Sequence, residues 1–417
     1  MGVALRDEAE LRLGRKGARI ALVLRAIPHY RIPLLDQLRV LLLAHGINLT
    51  VVYGQVGERR GSKGDTVDLA WGERIQNRVL EVGGLDLYWQ PCINQVRDAD
   101  LVIVTQEARL LVNYLLHWHR ARGELRLAYW GHGGTYQRSA LGAFIQPTKA
   151  WLAKHVDWWF GYTSRSASSL AQMGVPASRV TIVNNAIDTA SLAAARASLT
   201  PDDLQCEIDR LGLRGRNVGV YIGGMYREKR LDFLLAACKE TRARISDFEC
   251  VFIGDGPQAG KVRDAAASFP WIRHLGGRFG AEKVLSLSIG KVMLMPGLVG
   301  LALLDSFALQ LPMVTTDLPY HSPEIAYLEN GENGILLPGN CRPEEYGTEI
   351  AALLMDERRL AALKAGCREA ADEYTIEKMA ARFAAGVVQA LQSIYPGGGG
   401  PWALEARTGS SLAVSDQ

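Results

Sequence analysis

The sequence has no Cys-x-x-Cys pair, no long hydrophobic run, no apolar leader and no marked excess of one charge. Its six cysteines, at 92, 206, 238, 250, 341 and 367, are scattered and stand beside no histidine cluster. That argues against a zinc site or a disulfide framework and for a reducing, cytoplasmic setting. The opening MGVALRDEAELRLGRKG mixes acids and bases and does not read as a signal peptide. No stretch approaches the roughly eighteen uninterrupted apolar residues of a membrane span, so the chain is expected to be soluble or peripheral. With 47 basic against 44 acidic residues nothing global steers it toward nucleic acid, and any anion site must be local. The absence of G-x-x-x-x-G-K-[ST], H-E-x-x-H and G-x-S-x-G removes the P-loop, zinc-protease and serine-hydrolase signatures.

What is present is a chain able to bury large cores. Hydrophobic residues make up 48% and charged residues 22%, the profile of a globular α/β protein. A length of 417 residues suits two domains of about 180 residues each plus tails. The apolar runs RIALVLRA (19–26), INLTVVYG (47–54), ADLVIVTQ (99–106), LRLAYWGH (125–132) and VDWWFGYT (156–163) alternate with helical stretches at 34–44, 109–121 and 147–155. After NNAID (184–188) and a polar, Ala-rich stretch the alternation restarts with NVGVYIGG (217–224), FECVFIGD (248–255), IRHLGG (272–277), KVMLMP (291–296) and MVTTD (313–317). Near-continuous apolar strands separated by helices imply parallel sheets covered on both faces. The pattern predicts an α/β chain of two tandem Rossmann-like, doubly wound domains, 18–200 and 201–375. Around them stand an N-terminal extension (1–17), a helix over 376–395 packing back toward the first domain, and a disordered tail from PGGGGP onward (396–417). Each such sheet exposes its ligand crevice at the carboxyl ends of its strands, so the active site is expected in an inter-domain cleft.

The second domain opens as strand–GGMYREK–helix. Gly223 and Gly224 allow a ligand to approach the backbone, the helix offers its first N–H groups to phosphate, and Lys229 adds a positive charge. A solvated first turn of Arg227, Lys229 and Arg230 is the plain alternative. VFIGDGPQAGKV gives a partial dinucleotide fingerprint at Gly254, Gly256 and Gly260, without the acid that holds a ribose; a tight strand-to-helix turn explains those glycines almost as well. In MPGLVGLALLDSF a turn at Pro296, Gly297 and Gly300 leads into a helix carrying Asp305, whose carboxylate can accept from a ribose, and Glu324 stands in a later loop. In the first domain, His132 in YWGHGGTYQR and the loop RAIPHYR, with His29, Tyr30 and Arg31, follow strands and belong on the crevice rim. His132 can orient or deprotonate a hydroxyl, or can be a turn residue only. Asp98 and Asp100 spell D-x-D just before a strand, which reads as a connector rather than a metal site.

Taken in order, these segments resemble the retaining glycosyltransferases of family 4, with GT-B architecture, over about residues 156–390 and more loosely over 19–155. WFGYTSRSASSLAQMGVPASRVTIVNNAID is similar to the family's first-domain ending, IGGMYREKRLDFLLAA to its donor-phosphate loop, IGDGP to its second glycine turn, and LPMVTTDLPYHSPEIAYLENGENGILL to its closing signature. The resemblance implies that Lys229 neutralises the donor diphosphate as the glycosidic bond breaks, with no metal or other cofactor. It implies that Asp305, the second acid of the family's pair, holds the ribose, that His132 lies near the reacting sugar, and that Glu324 belongs to the closing loop's Pro-Glu step. Two positions depart: Gly297 stands where the family has its first acid, and Gly224 where it has an arginine. Backbone N–H groups of Leu298, Val299, Gly300 and Leu301 are expected to replace the first, and Arg227 the second.

The partners implied are a nucleotide-sugar donor (UDP- or GDP-sugar) and a glycan or lipid-linked acceptor, in surface polysaccharide, lipopolysaccharide or glycolipid assembly. Trp151, Trp158 and Trp159 among Lys149, Lys154 and Arg165 suit peripheral contact at the inner face of the cytoplasmic membrane, although a strand would bury at least one of them. A nucleotide-sugar epimerase, a non-catalytic subunit of the same fold and a dinucleotide-dependent oxidoreductase are the rival readings.

Overall fold

The computed structural model describes residues 17–55, 66–82, 85–134 and 150–394. The extension before Gly17, the tail 396–417 and Lys149 lie outside the described residues. The chain forms two compact units, one running to Asn184 and resuming at Glu377, the other spanning Asn185–Ile376.

In the first unit β1 (Ala18–Leu24), β2 (Ile47–Tyr53) and β3 (Glu73–Arg74) precede an antiparallel pair, β4 (Arg78–Val82) and β5 (Leu85–Trp89). Then come β6 (Leu101–Thr105), β7 (Leu127–Gly131), β8 (Trp158–Gly161) and β9 (Val180–Ile182). Seven strands make one parallel sheet in the order β3-β2-β1-β6-β7-β8-β9. The second unit holds β10 (Asn217–Ile222), β11 (Phe248–Ile253), β12 (Ile272–His274), β13 (Val292–Leu294), β14 (Met313–Thr316) and β15 (Gly334–Leu337). They form a parallel sheet in the order β12-β11-β10-β13-β14-β15. Both are doubly wound Rossmann-like sheets, and strand order reverses at β1/β6 in one and β10/β13 in the other.

Burial on both faces explains why the strands were readable as apolar runs. All six residues of β11 are buried, Glu249 among them, and its carboxylate accepts from the Arg214 and Gly215 amides at 2.8 and 2.9 Å. The tryptophans of β8 are both core, Trp158 3% and Trp159 0% exposed, so of the three proposed for membrane contact only Trp151 reaches solvent. Asp100 accepts from the Arg19 amide at 2.8 Å at the amino end of β6, opposite the crevice edge.

One feature differs from the sequence expectation. The helix Thr189–Ala197, N-capped by Asp188, packs against the helices Gly280–Ser288 and Ala302–Ala308, so residues 185–200 belong to the second unit and the division falls before Asn185. After β15 the chain forms three helices, Pro343–Met355, Glu357–Glu373 and Ile376–Ile394, the second opened by an Asp356 cap on the Arg359 amide. The last belongs almost wholly to the first unit: Phe383 stacks on Phe160 with centroids 4.4 Å apart and meets Trp130 edge-on at 5.3 Å. Burying that ring contributes about 2–3 kcal/mol.

Candidate functional site

In the second unit the loops leaving β10, β11, β12 and β13 knit together at the carboxyl edge of the sheet. Met225 N–H donates to the Asp255 carbonyl (2.8 Å), Gly254 N–H to that of Gly276 (2.7 Å), and Leu298 N–H to that of Glu228 (2.8 Å). Gly254 and Gly256, at φ +132° and +151°, are needed for this closeness. A Cβ on Gly254 would lie 2.0 Å from the Gly223 carbonyl oxygen, and one on Gly256 2.7 Å from that of Met225. Their role is loop-on-loop packing under the β10 turn.

That turn, a single helical turn Arg227–Lys229, buries Lys229 and leaves Arg227 exposed. The Lys229 ammonium donates to the Leu298 carbonyl at 2.5 Å and lies 3.6 Å from Met295 Sδ, so one cation ties the two loops that flank the strand reversal. Arg230, in the left-handed region at φ +56°, reaches the Thr316 hydroxyl (3.1 Å), and Thr316 in turn donates to the Pro296 carbonyl (2.7 Å). At Gly224 a Cβ would lie 2.4 Å from the Tyr226 ring, so the tyrosine occupies the ground a side chain at 224 would need.

The four amides expected to meet a ligand are not equivalent. Leu298 N–H is bonded to Glu228, and Val299 N–H to His321 Nδ1 at 3.0 Å, which removes both from that role. The amides of Gly300 and Leu301 have no protein acceptor among the described residues. Asp305, 8% exposed, holds Lys283 at 2.8 Å through Oδ1. Glu324, 3% exposed, accepts from Asn185 Nδ2 at 2.5 Å, which fixes the first residue of the second unit to the Pro-Glu turn. Tyr327 O–H adds a bond to the Asn185 carbonyl at 3.2 Å.

His321 was missed in the sequence, its only signal being a histidine two residues before Pro323. It is fully buried, accepts at Nδ1, and therefore donates from Nε2 to the Thr316 carbonyl at 2.6 Å as a neutral imidazole. His321→Ala leaves the buried Val299 amide without its acceptor, at a cost of about 1–3 kcal/mol. The variant should therefore melt several degrees lower in calorimetry; an unmoved transition would mean that other contacts hold the 297–300 turn.

In the first unit the sequence-selected residues also gather at the carboxyl ends of strands. His29–Arg31 form a turn after β1, and His132 follows β7. His29 and His132 are exposed, Tyr30 is half-buried and Arg31 is buried. The His132 ring meets Tyr162 edge-on at 4.7 Å. Although solvent reaches the ring, crowding by the surrounding protein and then the Arg31 guanidinium push its pKa down to about 4. It is neutral at pH 7 and able to accept a proton or a hydrogen bond.

Residues 216–356, from β10 to the helix after β15, match the model of a family described as glycosyl transferases group 1. In three dimensions the chain is similar to Anabaena HepE in complex with UDP, with a TM-score of 0.64 at 14% identity over 88% of this chain and 99% of that one. It is similar to a glycosyltransferase from Rickettsia africae, with a TM-score of 0.64 at 11% identity over 92% and 100% of the two chains. The third is WaaG, a glycosyltransferase involved in lipopolysaccharide biosynthesis, with a TM-score of 0.58 at 13% identity over 91% and 100%. A search of curated proteins by sequence found no match. At such identities the likeness is one of fold, and the fold is GT-B.

Proposed function

We propose that the chain is a retaining, metal-independent glycosyltransferase of family 4 type, taking a UDP- or GDP-sugar in its second unit and a glycan or lipid-linked acceptor in its first. The observation that carries this reading is Lys229, a buried cation at the carboxyl edge of the β10/β13 strand reversal, inside the segment that matches the glycosyl transferases group 1 model. A diphosphate at that edge would meet the Lys229 ammonium, the exposed Arg227 and the Gly300 and Leu301 amides. Asp305 would hold the ribose and Glu324 would shape the closing loop.

In the proposed reaction the bond from the sugar's anomeric carbon to the phosphate oxygen breaks as the acceptor oxygen bonds to the same face. The acceptor proton passes to the departing phosphate, and the positive charge beside it stabilises the leaving group. No enzyme nucleophile is required. Neutral His132 would orient the acceptor hydroxyl; since it titrates near 4, the rate should show no step at the usual histidine value of about 6.5. Surface polysaccharide, lipopolysaccharide or glycolipid assembly at the inner face of the cytoplasmic membrane is the proposed setting, with Trp151 and Lys154, both exposed, as the contact.

The test is thermal stabilisation by UDP, GDP, ADP, dTDP and NAD, first with EDTA and then with magnesium. Ligand at about a hundred times its dissociation constant adds roughly 2.7 kcal/mol, a shift of several degrees. A metal-free shift with UDP or GDP is expected. A shift with NAD alone would replace the transferase by an oxidoreductase. The non-catalytic reading has one observation in its favour, the Tyr226 ring over Gly224, and would be adopted if no nucleotide stabilised the protein.

A further inference from the structure

Arg31 is a buried cation that no carboxylate among the described residues neutralises. It is 6% exposed, and its hydrogen-bond acceptor is the Met379 sulfur at 3.9 Å, a weak one. Among the described residues it enters no ion pair. Its guanidinium carbon lies 4.9 Å from the centre of the Trp130 ring, 5.1 Å from that of Tyr30 and 5.8 Å from that of Tyr162. Aromatic faces recover part of the cost of burying such a charge and none of its N–H bonds. Trp130, 2% exposed, adds a second unmet donor, since its Nε1 is buried without an acceptor among the described residues.

A third contribution has the same sign. Arg31 is the N-cap of the helix Ile32–Ala44, thirteen residues long, whose first turn carries no acid to offset the positive end of its dipole. Arg31 follows β1, Trp130 lies near the end of β7 and Tyr162 follows β8, so all three stand at the crevice edge of the first sheet. The place therefore holds donors and positive charge, and among the described residues no carboxylate pairs with the guanidinium. His132, whose imidazole feels the Arg31 charge, stands exposed beside it.

We propose that Arg31 and Trp130 form a phosphate-binding subsite in the first unit, taking a phosphate group carried by the acceptor. An uncharged sugar would leave the guanidinium unpaired, whereas a phosphate ester brings charge and several oxygens to its planar fork. Its meaning as an acceptor subsite rests on the transferase reading above, but the binding itself does not. A protein that bound phosphate through Arg31 and no nucleoside diphosphate would keep this site and lose that reading.

The experiment is calorimetric titration of the full chain with inorganic phosphate, in the wild type, Arg31→Met and Lys229→Met. Methionine keeps an unbranched stem among the rings and removes the charge. The expected result is an affinity at least about tenfold weaker in Arg31→Met, with an unchanged or higher melting temperature, and binding retained in Lys229→Met. A purely structural Arg31 would instead lower the melting temperature and leave phosphate affinity unmoved. Absence of phosphate binding in the wild type, or its loss in Lys229→Met, overturns the proposal. Should Arg31→Met not fold, Trp130→Phe keeps the ring and deletes the indole donor; affinity should fall severalfold, and unchanged affinity overturns the site. Glucose 1-phosphate and phosphatidylcholine vesicles containing phosphatidic acid then compete with inorganic phosphate. Displacement by the sugar phosphate identifies a soluble acceptor and by the vesicles a lipid-borne one, while displacement by neither overturns the proposal.

Discussion

Lys229→Ala is expected to lower turnover at least about a hundredfold while the chain still folds, the scale of losing one preorganised charge from a leaving group. The contacts of Lys229 sharpen what the loss would mean. Its ammonium serves the Leu298 carbonyl as well as the proposed phosphate, and the Leu298 amide is bonded back to Glu228. Removing it therefore deletes a charge and loosens the turn that carries the Gly300 and Leu301 amides. Two variants separate these effects. Lys229→Met keeps length but loses both charge and donor, and should match Lys229→Ala in kcat. Lys229→Arg keeps the charge in a wider group, and should recover part of kcat with a raised KM for the nucleotide-sugar. Equal turnover in wild type and Lys229→Ala would remove Lys229 from the site, and with it the main support for a diphosphate at this edge.

The architecture was legible because parallel strands buried on both faces leave an unbroken apolar signature. What lacked that signature was not readable. β3 is two residues long, and β4 exposes Val79, Leu80 and Val82 and carries no core. β15 looked like part of a loop motif because its four residues follow Gly331 and Asn333 with no apolar run before them. Residues 185–200 read as part of the first domain because alanine gives a helix face too small to announce where it is buried, yet that helix packs on the second unit. The unit's true beginning is marked by polar bonds, Asn185 to Glu324 and Tyr327, between residues more than a hundred positions apart.

The site was legible in residue type and less so in cause. The glycine turns stood out, but Gly254 is glycine because of the Gly223 carbonyl 2.0 Å from its missing Cβ, a neighbour thirty-one positions earlier that only the fold supplies. Val299 N–H looked available for a ligand until His321 proved to be bonded to it. Tryptophan next to tryptophan looked like a membrane face, although in a doubly covered strand both faces are interior.

Gly297→Glu, which would restore the acid usual in the resembled family, should abolish nucleotide binding rather than improve it. At Gly297 a Cβ would fall 2.4 Å from the Glu228 carbonyl oxygen and from the Lys229 carbonyl carbon, and 2.5 Å from the Lys229 Cα. These are backbone atoms of the turn that presents Lys229, so no rotamer change relieves them. The two loops must separate, which breaks the Leu298–Glu228 bond and displaces the ammonium from the Leu298 carbonyl. Overpacking of this kind costs about 1–3 kcal/mol, and a carboxylate set beside the diphosphate path adds repulsion. Gly297→Ala tests the steric part alone: it should lower the melting temperature and weaken nucleotide binding, with Gly297→Glu worse in both. If Gly297→Glu instead bound nucleotide-sugar more tightly, the close approach of the two loops could not be a feature of the working enzyme, and the glycine would mark a lost acid rather than a repacked site. The expected loss in both variants would mean that this chain has exchanged a side-chain hold on the donor for a closer seat of its lysine.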